Sequence, residues 1–394
     1  MSWEIKKLSE CCASIADGDH QAPPKADSGI PFVTISNINS TNQFDFTNTM
    51  FVPQAYYDGL DSKRKAQKGD VLYSVVGSFG IPVYMRETVP FVFQRHIAIL
   101  RPNDAILPQF LYYTMLSRDF YMMADAAALG AAQRTVSLTA LRNMKIAVPP
   151  MDVQKKIVDI LSAYDDLIAN NQKQIKLLEE AAQRLYKEWF VDLRFPSHET
   201  TPITDGIPEG WTVQSMNDIA EYINGYAFKP TDWGTVGKPI IKIKEMGSGV
   251  TTDTPRNTGE DIPEKYNVTA GDILFSWSAT LSAMIWDEEN GLLNQHLFKV
   301  IPGEGISREF VLQSILKTLD EFSNLTTGST MKHIQRGKLK EVKVNVPPTE
   351  LMEQYRNISE PIREQILNIK RQIILLREAR DRLLPKLMNG EIEV

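Results

Sequence analysis

Lys68-Gly69-Asp70-Val71-Leu72-Tyr73-Ser74 returns later in the chain as Ala270-Gly271-Asp272-Ile273-Leu274-Phe275-Ser276. In both places a Gly-Asp pair opens a run of β-branched, apolar and aromatic residues, which reads as a turn leading into a strand. Working outward, other segments repeat in the same order. Trp3-Glu4-Ile5 is answered by Trp211-Thr212-Val213, and Ile15-Ala16-Asp17-Gly18 by Tyr222-Ile223-Asn224-Gly225. Gly29-Ile30-Pro31-Phe32-Val33-Thr34-Ile35 is answered by Gly237-Lys238-Pro239-Ile240-Ile241-Lys242-Ile243. Gln94-Arg95-His96-Ile97 faces Asn294-Gln295-His296-Leu297, and Val148-Pro149-Pro150 faces Val346-Pro347-Pro348. The offset drifts in order from 208 to 202, 200 and 198, as small loop insertions would make it. Chance matches would not keep that order, so the chain is a tandem duplication. A period near 200 lies far outside the 20 to 50 residues of a solenoid repeat. Each copy is therefore a domain in its own right.

The 394 residues give two or three domains on length alone. With 43% hydrophobic and 23% charged residues, the composition fits a globular protein and excludes disorder and collagen-like repetition. No stretch approaches the ~18 uninterrupted apolar residues of a membrane helix. Met1-Ser2-Trp3-Glu4-Ile5-Lys6-Lys7 lacks the apolar core of a signal peptide, so the expected location is the cytoplasm. Cys11 and Cys12 are adjacent, which suits neither a zinc site nor a disulfide framework and is consistent with a reducing compartment.

Within each copy the globular part reads mostly as short strands, among them 30–35, 70–76 and 91–93. Helices interrupt them at Pro108–Leu116 and Arg308–Leu316. The fold class is α+β. After each Val-Pro-Pro the period changes. Apolar or small residues fall at Val153, Ile157, Ile160, Tyr164, Leu167, Asn171, Ile175, Leu178, Ala182, Leu185 and Trp189. In the second copy they fall at Tyr355, Ile358, Ile362, Ile366, Ile369, Ile373, Leu376, Leu383 and Leu387. Steps of four and three make the narrow seam of a coiled coil. Asp152 and Thr349 are the expected N-caps and Gly390 the C-terminal stop, while Pro361 predicts a restart or kink near Ser359. A helix from Asp152 to Leu193 would span roughly 60 Å, and alone it would expose its seam. Its obvious partner is the second helix, paired antiparallel, so that two globular domains are separated by two long helices. The expected boundaries are 1–150, 151–195, 196–349 and 350–394. A coiled coil that only dimerises the protein is the alternative use of such a seam.

Several chemistries lack their signatures. No G-x-x-x-x-G-K-[ST] loop cradles a nucleotide phosphate, and no His/Cys cluster has metal-ligand spacing. His96 and His296 occupy equivalent positions, but neither has an acid or nucleophile at a fixed sequence distance, so each is expected to pack near a strand end or touch a ligand. Asn345-Val346-Pro347-Pro348 superficially resembles the Asn-Pro-Pro-aromatic motif of amino-methyltransferases. Its counterpart Ala147-Val148-Pro149-Pro150 has no asparagine, and neither copy has the aromatic. Catalysis within the chain is disfavoured.

The net charge of −6 argues against a general DNA binder. Its distribution leaves room for local basic clusters. Residues 1–150 carry 14 basic and 13 acidic groups, whereas 196–349 carry 14 and 20. The candidate DNA-binding residues of the first copy are Lys63, Arg64, Lys65 and Lys68 before the Gly-Asp strand, Arg95 beside His96, and Gln133 and Arg134. In the second copy they are Lys242 and Lys244, read as one face of a strand, and Lys332, His333, Gln335 and Arg336. Basic side chains supply phosphate attraction and register, while Arg, Gln, Asn and Lys read base edges. Taken singly, each cluster reads equally as a solvated surface. Recurrence of a basic or amide-bearing segment at 130–135 and 328–336 favours binding.

The doubled order of Gly-Asp-(Val/Ile)-Leu-aromatic-Ser, then Val-Pro-Pro with Gln154 or Gln354 following, then a long seamed helix, resembles the specificity subunits of type I restriction–modification systems. Lys187-Glu188-Trp189-Phe190-Val191-Asp192 and Leu383-Leu384-Pro385-Lys386-Leu387-Met388-Asn389-Gly390-Glu391-Ile392 are similar to that family's helix ends. The resemblance spans essentially the whole chain. It implies two target-recognition domains that each read half of a bipartite, asymmetric site in double-stranded DNA. It also implies helices that act as a spacer and dock two methyltransferase subunits, with separate endonuclease/translocase subunits. The chain itself would be non-catalytic and hold no cofactor; S-adenosylmethionine, ATP and Mg would belong to its partners, and no membrane is involved. The net-acidic second domain would need a concentrated DNA face. A duplicated, non-enzymatic protein-interaction scaffold is the alternative. A salt titration separates the two, because binding through several phosphates weakens linearly in log–log form.

Overall fold

The computed structural model describes residues 3–39, 41–130, 133–324 and 336–394. It divides into two compact units, residues 1–170 with 373–394, and residues 171–372.

In the first unit, β1 (Glu4–Lys7) leads through α1 (Leu8–Cys11) to β2 (Cys12–Asp17). β3 (Ile30–Val33), β4 (Met50–Val52), α2 (Gln54–Asp58), β5 (Val71–Ser74), β6 (Pro82–Tyr84), β7 (Val92–Phe93) and β8 (Ile97–Pro102) follow. Then come α3 (Pro108–Leu116), α4 (Arg118–Ala127), α5 (Leu138–Asn143), β9 (Lys145–Val148) and the long α6 (Met151–Tyr186). Four strands form an antiparallel sheet in the order β2-β8-β5-β6, and β4-β3-β7 form a second sheet in which β3 and β7 run parallel. β1 pairs antiparallel with β9.

The second unit contains β10 (Ile203–Thr204), β11 (Ile207–Pro208), β12 (Thr212–Ser215), α7 (Met216–Ile219), β13 (Ala220–Asn224), β14 (Lys238–Ile241) and α8 (Ile243–Ser248). β15 (Arg256–Asn257), β16 (Asn267–Val268), β17 (Ile273–Ser276), β18 (Ser282–Ile285), β19 (Gly291–Leu293) and β20 (Leu297–Pro302) come next. α9 (Arg308–Lys317), α10 (Leu319–Asn324), β21 (Lys343–Val346) and α11 (Thr349–Met388) complete it, the last helix ending in the first unit. The order β13-β20-β17-β18 reproduces β2-β8-β5-β6, and β14 runs parallel to β19 as β3 does to β7. Even the register repeats: Glu4 faces Val148 as Thr212 faces Val346. The duplication read from the sequence is thus a duplication of topology.

The repeated motifs are structural. In Gly-Asp, Gly69 and Gly271 take φ of 93° and 103°, which favours glycine. The Asp70 carboxylate, almost fully buried, accepts from the Gln67 backbone and from both Nε and Nη2 of Arg101, pinning the turn to β8. Asp272 closes its own turn on the Thr269 N–H instead. Gln154 is buried and ties α6 to the loop before α3, accepting from Leu107 N and donating to the Pro149 carbonyl. Gln354 is exposed and does not repeat that role.

The long helices pair antiparallel inside each unit. In the first unit Asp165 of α6 meets Arg380 of α11, and in the second Asn171 of α6 meets Gln372 of α11. At 1.5 Å per residue, α6 is about 54 Å long; it continues as a π turn, Lys187–Val191. Three details differ from the sequence reading. The seam shifts locally: Leu167 and Ile358 are exposed, and Ile168 and Ser359, one residue on, are buried. A 3.6-residue helix drifts from a strict 3.5 repeat, and the partner here includes globular domains as well as a helix. Second, α11 passes through Pro361 without restarting. One missing backbone donor is tolerated there because buried Ser359 and Arg363 anchor the helix on either side. Third, Asp152 and Thr349 are not N-caps. The second proline of each pair takes that place, with its carbonyl accepting from Gln154 or Met352, and Asp152 lies in the first turn where it complements the dipole. Gly390, with φ of 75°, follows the end of α11 as expected.

Both cores are closed by a helix end. In the first unit Leu384 and Leu387 join α3, β5 and β8 in one apolar cluster, and Trp3 lies against Gly390. In the second, Trp189 and Phe190 fill the corresponding place, Phe190 touching Phe310, Tyr355 and Trp211 with ring centroids 4.9, 4.8 and 5.8 Å away. The Lys-Glu-Trp-Phe motif is therefore an aromatic anchor.

Candidate nucleic-acid interface

At the end of β2 the chain turns at Gly18 against the turn between β7 and β8. Gly18 N donates to the Ile97 carbonyl, Asp19 N to the Phe93 carbonyl, and Arg95 N to the Asp19 carbonyl. A Cβ on Gly18 would lie 2.2 Å from the Phe93 oxygen, so only glycine allows this approach. Its result is an open cleft of about 280 Å³ whose lining includes Asp17, His20, Arg95, His96, Gln133 and Thr135. Two residues expected from the sequence, Arg95 and Gln133, are brought together here.

Asp17 accepts from His20 Nε2 at 2.7 Å, and Arg64 Nη2 stands 3.8 Å from its other oxygen. The cleft thus carries cations, an acceptor carboxylate and an exposed amide within one unit. Burial, followed by the Arg95 charge, holds His96 below its ordinary pKa, so its imidazole is neutral at neutral pH. Asp17 and His20 were not singled out by sequence; the repeat pair Asp17-Gly18/Asn224-Gly225 was the available signal.

The remaining basic residues of the first unit divide. Lys63 and Lys68 are exposed and have no side-chain partner among the described residues. Lys65 turns inward: its ammonium donates to the Asp58 carbonyl at 2.9 Å and sits 5.1 Å from the centroid of the Tyr57 ring. Arg134 is half-committed to the fold. It pairs with Asp125 and lies over the Phe79 ring, while Gly77 N and the Thr135 bridges tie its loop to the end of β5.

In the second unit the strand reading of Lys242 and Lys244 is corrected. β14 ends at Ile241, and Ile243–Ser248 is helical. The Glu245 carboxylate accepts from Lys242 N, the capping-box bond that starts a helix. The two lysines therefore do not share a strand face. Lys242 extends over the half-exposed Trp233, 5.2 Å from its ring centroid, and Lys244 is exposed. Lys332, His333 and Gln335 lie outside the described residues, as does the side chain of Arg336, whose backbone opens a short 3-10 helix.

The Gly18 arrangement recurs. Gly225 N donates to the Leu297 carbonyl and Tyr226 N to Leu293, and a Cβ on Gly225 would lie 2.0 Å from the Asn294 oxygen. This brings Asn224 to the Gln295-His296 turn, where His296 packs 5.9 Å from the Trp277 ring centroid. Both repeat histidines sit at strand starts, as expected.

Among the described residues, no three or more His, Cys, Asp or Glu side chains group so as to hold a metal ion, and no helix is long and apolar enough to cross a membrane.

The family model for the type I restriction modification DNA specificity domain matches residues 2–180 and 208–372. The chain is 23% identical over 440 residues to the HindI specificity subunit of Haemophilus influenzae, covering 92% of this chain and 95% of that one. It is 25% identical over 419 residues to the putative MjaX specificity subunit of Methanocaldococcus jannaschii, covering 100% and 94%. Its fold matches the solved S subunit of a type I system from M. genitalium with a TM-score of 0.56, at 15% identity and over 98% and 96% of the two chains.

Proposed function

The chain belongs to the type I restriction–modification DNA specificity family, and from that membership we propose how its two halves divide the work of recognition. It is a type I specificity subunit with two target-recognition domains. Each domain reads one half of a bipartite, asymmetric site in double-stranded DNA. The single observation that carries this is that one strand order and one register occur twice while the side chains at the glycine meeting differ. One scaffold with two sets of exposed functional groups suits two different half-sites.

The long helices act as the spacer. Reading heads on one groove face sit about one helical turn, ~34 Å, or a multiple apart. A paired helix imposes such an interval better than a flexible linker does. The helices also offer the surface on which two methyltransferase subunits dock, with endonuclease/translocase subunits joining the complex. On this reading the chain contributes recognition and no chemistry. S-adenosylmethionine serves the methyltransferases, which extrude and methylate an adenine, and ATP and Mg serve the translocating subunits.

Mapping methylated adenines in cells with and without this chain tests the reading, and deleting one heptad from both long helices extends it. The expected result is a bipartite motif whose halves are unchanged by the deletion and whose spacer changes. An unchanged spacer would remove the ruler; no motif dependent on the chain would remove the reading.

A further inference from the structure

The glycine meeting is the same backbone construction in both domains, but its side chains differ in hydrogen-bonding character. In the first domain Asp17 and Arg95 flank it; in the second, at offsets of 207 and 200, the same places hold Asn224 and Gln295. A histidine, His96 or His296, follows in both. The difference is chemically directed. A carboxylate only accepts and a guanidinium only donates, whereas a carboxamide does both.

Neither pair is consumed by the fold. Arg95 is exposed on the cleft, and Asp17, with its side chain 19% exposed, spends one oxygen on His20 while the other stands 3.8 Å from Arg64 Nη2, beyond hydrogen-bond distance. In the second domain Gln295 Oε1 and His296 Nδ1 are buried without a hydrogen-bond partner among the described residues. Buried polar atoms left unpaired cost free energy and call for a ligand or another explanation. The Gln295 amide nitrogen lies 3.4 Å from His296 Nε2, a long contact that leaves the amide oxygen free.

We propose that this meeting is the base-discriminating site of each domain, reading a G·C pair through Asp17 and Arg95 in the first and an A·T pair through Asn224 and Gln295 in the second. In the major groove a G·C pair presents the O6 and N7 acceptors of guanine beside the N4 amino donor of cytosine. A guanidinium beside a carboxylate complements that edge. Adenine presents N7 as acceptor and the N6 amino group as donor, which one carboxamide matches with two bonds. Exposed lysines such as Lys63 and Lys68 in the first domain are suited to phosphate attraction, which carries no base preference. The assignment rests on the half-site reading above and names which residues within it discriminate.

The test uses the full-length chain with its methyltransferase partners, selecting from a duplex pool randomised in both half-sites. Wild type is expected to enrich a bipartite sequence with a G·C pair in one half that R95Q relaxes by about 10- to 100-fold. D17N/R95Q moves that position toward A·T and leaves the other half alone. N224D/Q295R alters only the other half, and K63A lowers affinity evenly across sequences. Because Arg95 is exposed, R95Q and R95K should keep the wild-type melting curve; R95K, which still donates to guanine O6 and N7, retains affinity and part of the G·C preference. Unchanged base preference in R95Q and D17N/R95Q, with K63A still weakened, overturns the assignment alone. A wild type that enriches no bipartite sequence overturns the half-site reading and the assignment with it.

Discussion

Asp165 on α6 accepts from Arg380 of α11 at 2.6 Å and from the Tyr113 hydroxyl of α3 at 2.7 Å, so one carboxylate ties both long helices to the first domain. Its counterpart 198 residues later is Arg363, which pairs through Nε and Nη2 with Glu309 of α9, both bonds 3.0 Å. Equivalent positions on the two long helices thus carry opposite charges, Asp165 pairing with the other long helix and Arg363 with α9 of its own domain.

Arg380→Met leaves Asp165, its side chain 12% exposed, with Tyr113 as its remaining hydrogen-bond donor. The expected loss is about 3 kcal/mol, since breaking an enclosed pair strands the remaining ion. Urea midpoints measure it, and D165N/R380M should recover most of the loss. Equal midpoints for R380M and wild type would show that the pair does not hold the helices.

Arg363→Met is expected to cost more, about 3–5 kcal/mol, because Glu309 is 2% exposed and keeps only Gln313 as a donor. E309Q/R363M removes the stranded charge and should regain at least half of that loss in the same titration.

Gly225→Ala drives a methyl to within 2.0 Å of the Asn294 oxygen. Backbone must shift, which costs about 1–3 kcal/mol in overpacked sites. A lowered melting temperature with altered preference in one half-site only is the expected outcome. Gly206→Ala, where the added methyl meets nothing within 4 Å but φ is 79°, separates backbone strain from contact.

Lys63 and Lys68 are free of side-chain partners among the described residues, while Arg134 is held by Asp125. If each lysine meets a phosphate, K63A and K68A each reduce the slope of log affinity against log salt by about 0.9. R134A should lower DNA binding while D125A, which releases the guanidinium, should not. Wild-type salt dependence in all three basic variants would exclude this surface.

Cys11 and Cys12 are buried, and burial pushes the Cys12 thiol up to about 12 and raises Cys11 as well. Both should resist alkylation at pH 8 until the chain is unfolded. The folded protein holds these protons more tightly than the unfolded one, whose thiols ionise near 9. This contribution to stability is therefore present below pH 9 and lost as pH rises from about 9 to about 12. Denaturant midpoints that do not fall over that interval would contradict it.

The sequence alone determined the duplication, because scaffold residues such as Gly69, Asp70 and their counterparts must recur wherever the same turn and strand recur. It determined the long helices too, since a seam at steps of three and four is written locally. Local signals failed where tertiary contacts decide. Lys242 and Lys244 alternate with isoleucines as in a strand, yet Glu245 captures the Lys242 N–H and starts a helix. Pro361 looks like a break, yet α11 continues, with buried Arg363 two residues on held from outside the helix by Glu309. The cleft was half legible: Arg95 and Gln133 stood out by charge and repeat position, whereas Asp17 and His20 join them only when Gly18 lets two turns touch. Spacing along a chain records which residue types recur, and the packing of turns 70 or more residues apart decides which of them share one surface.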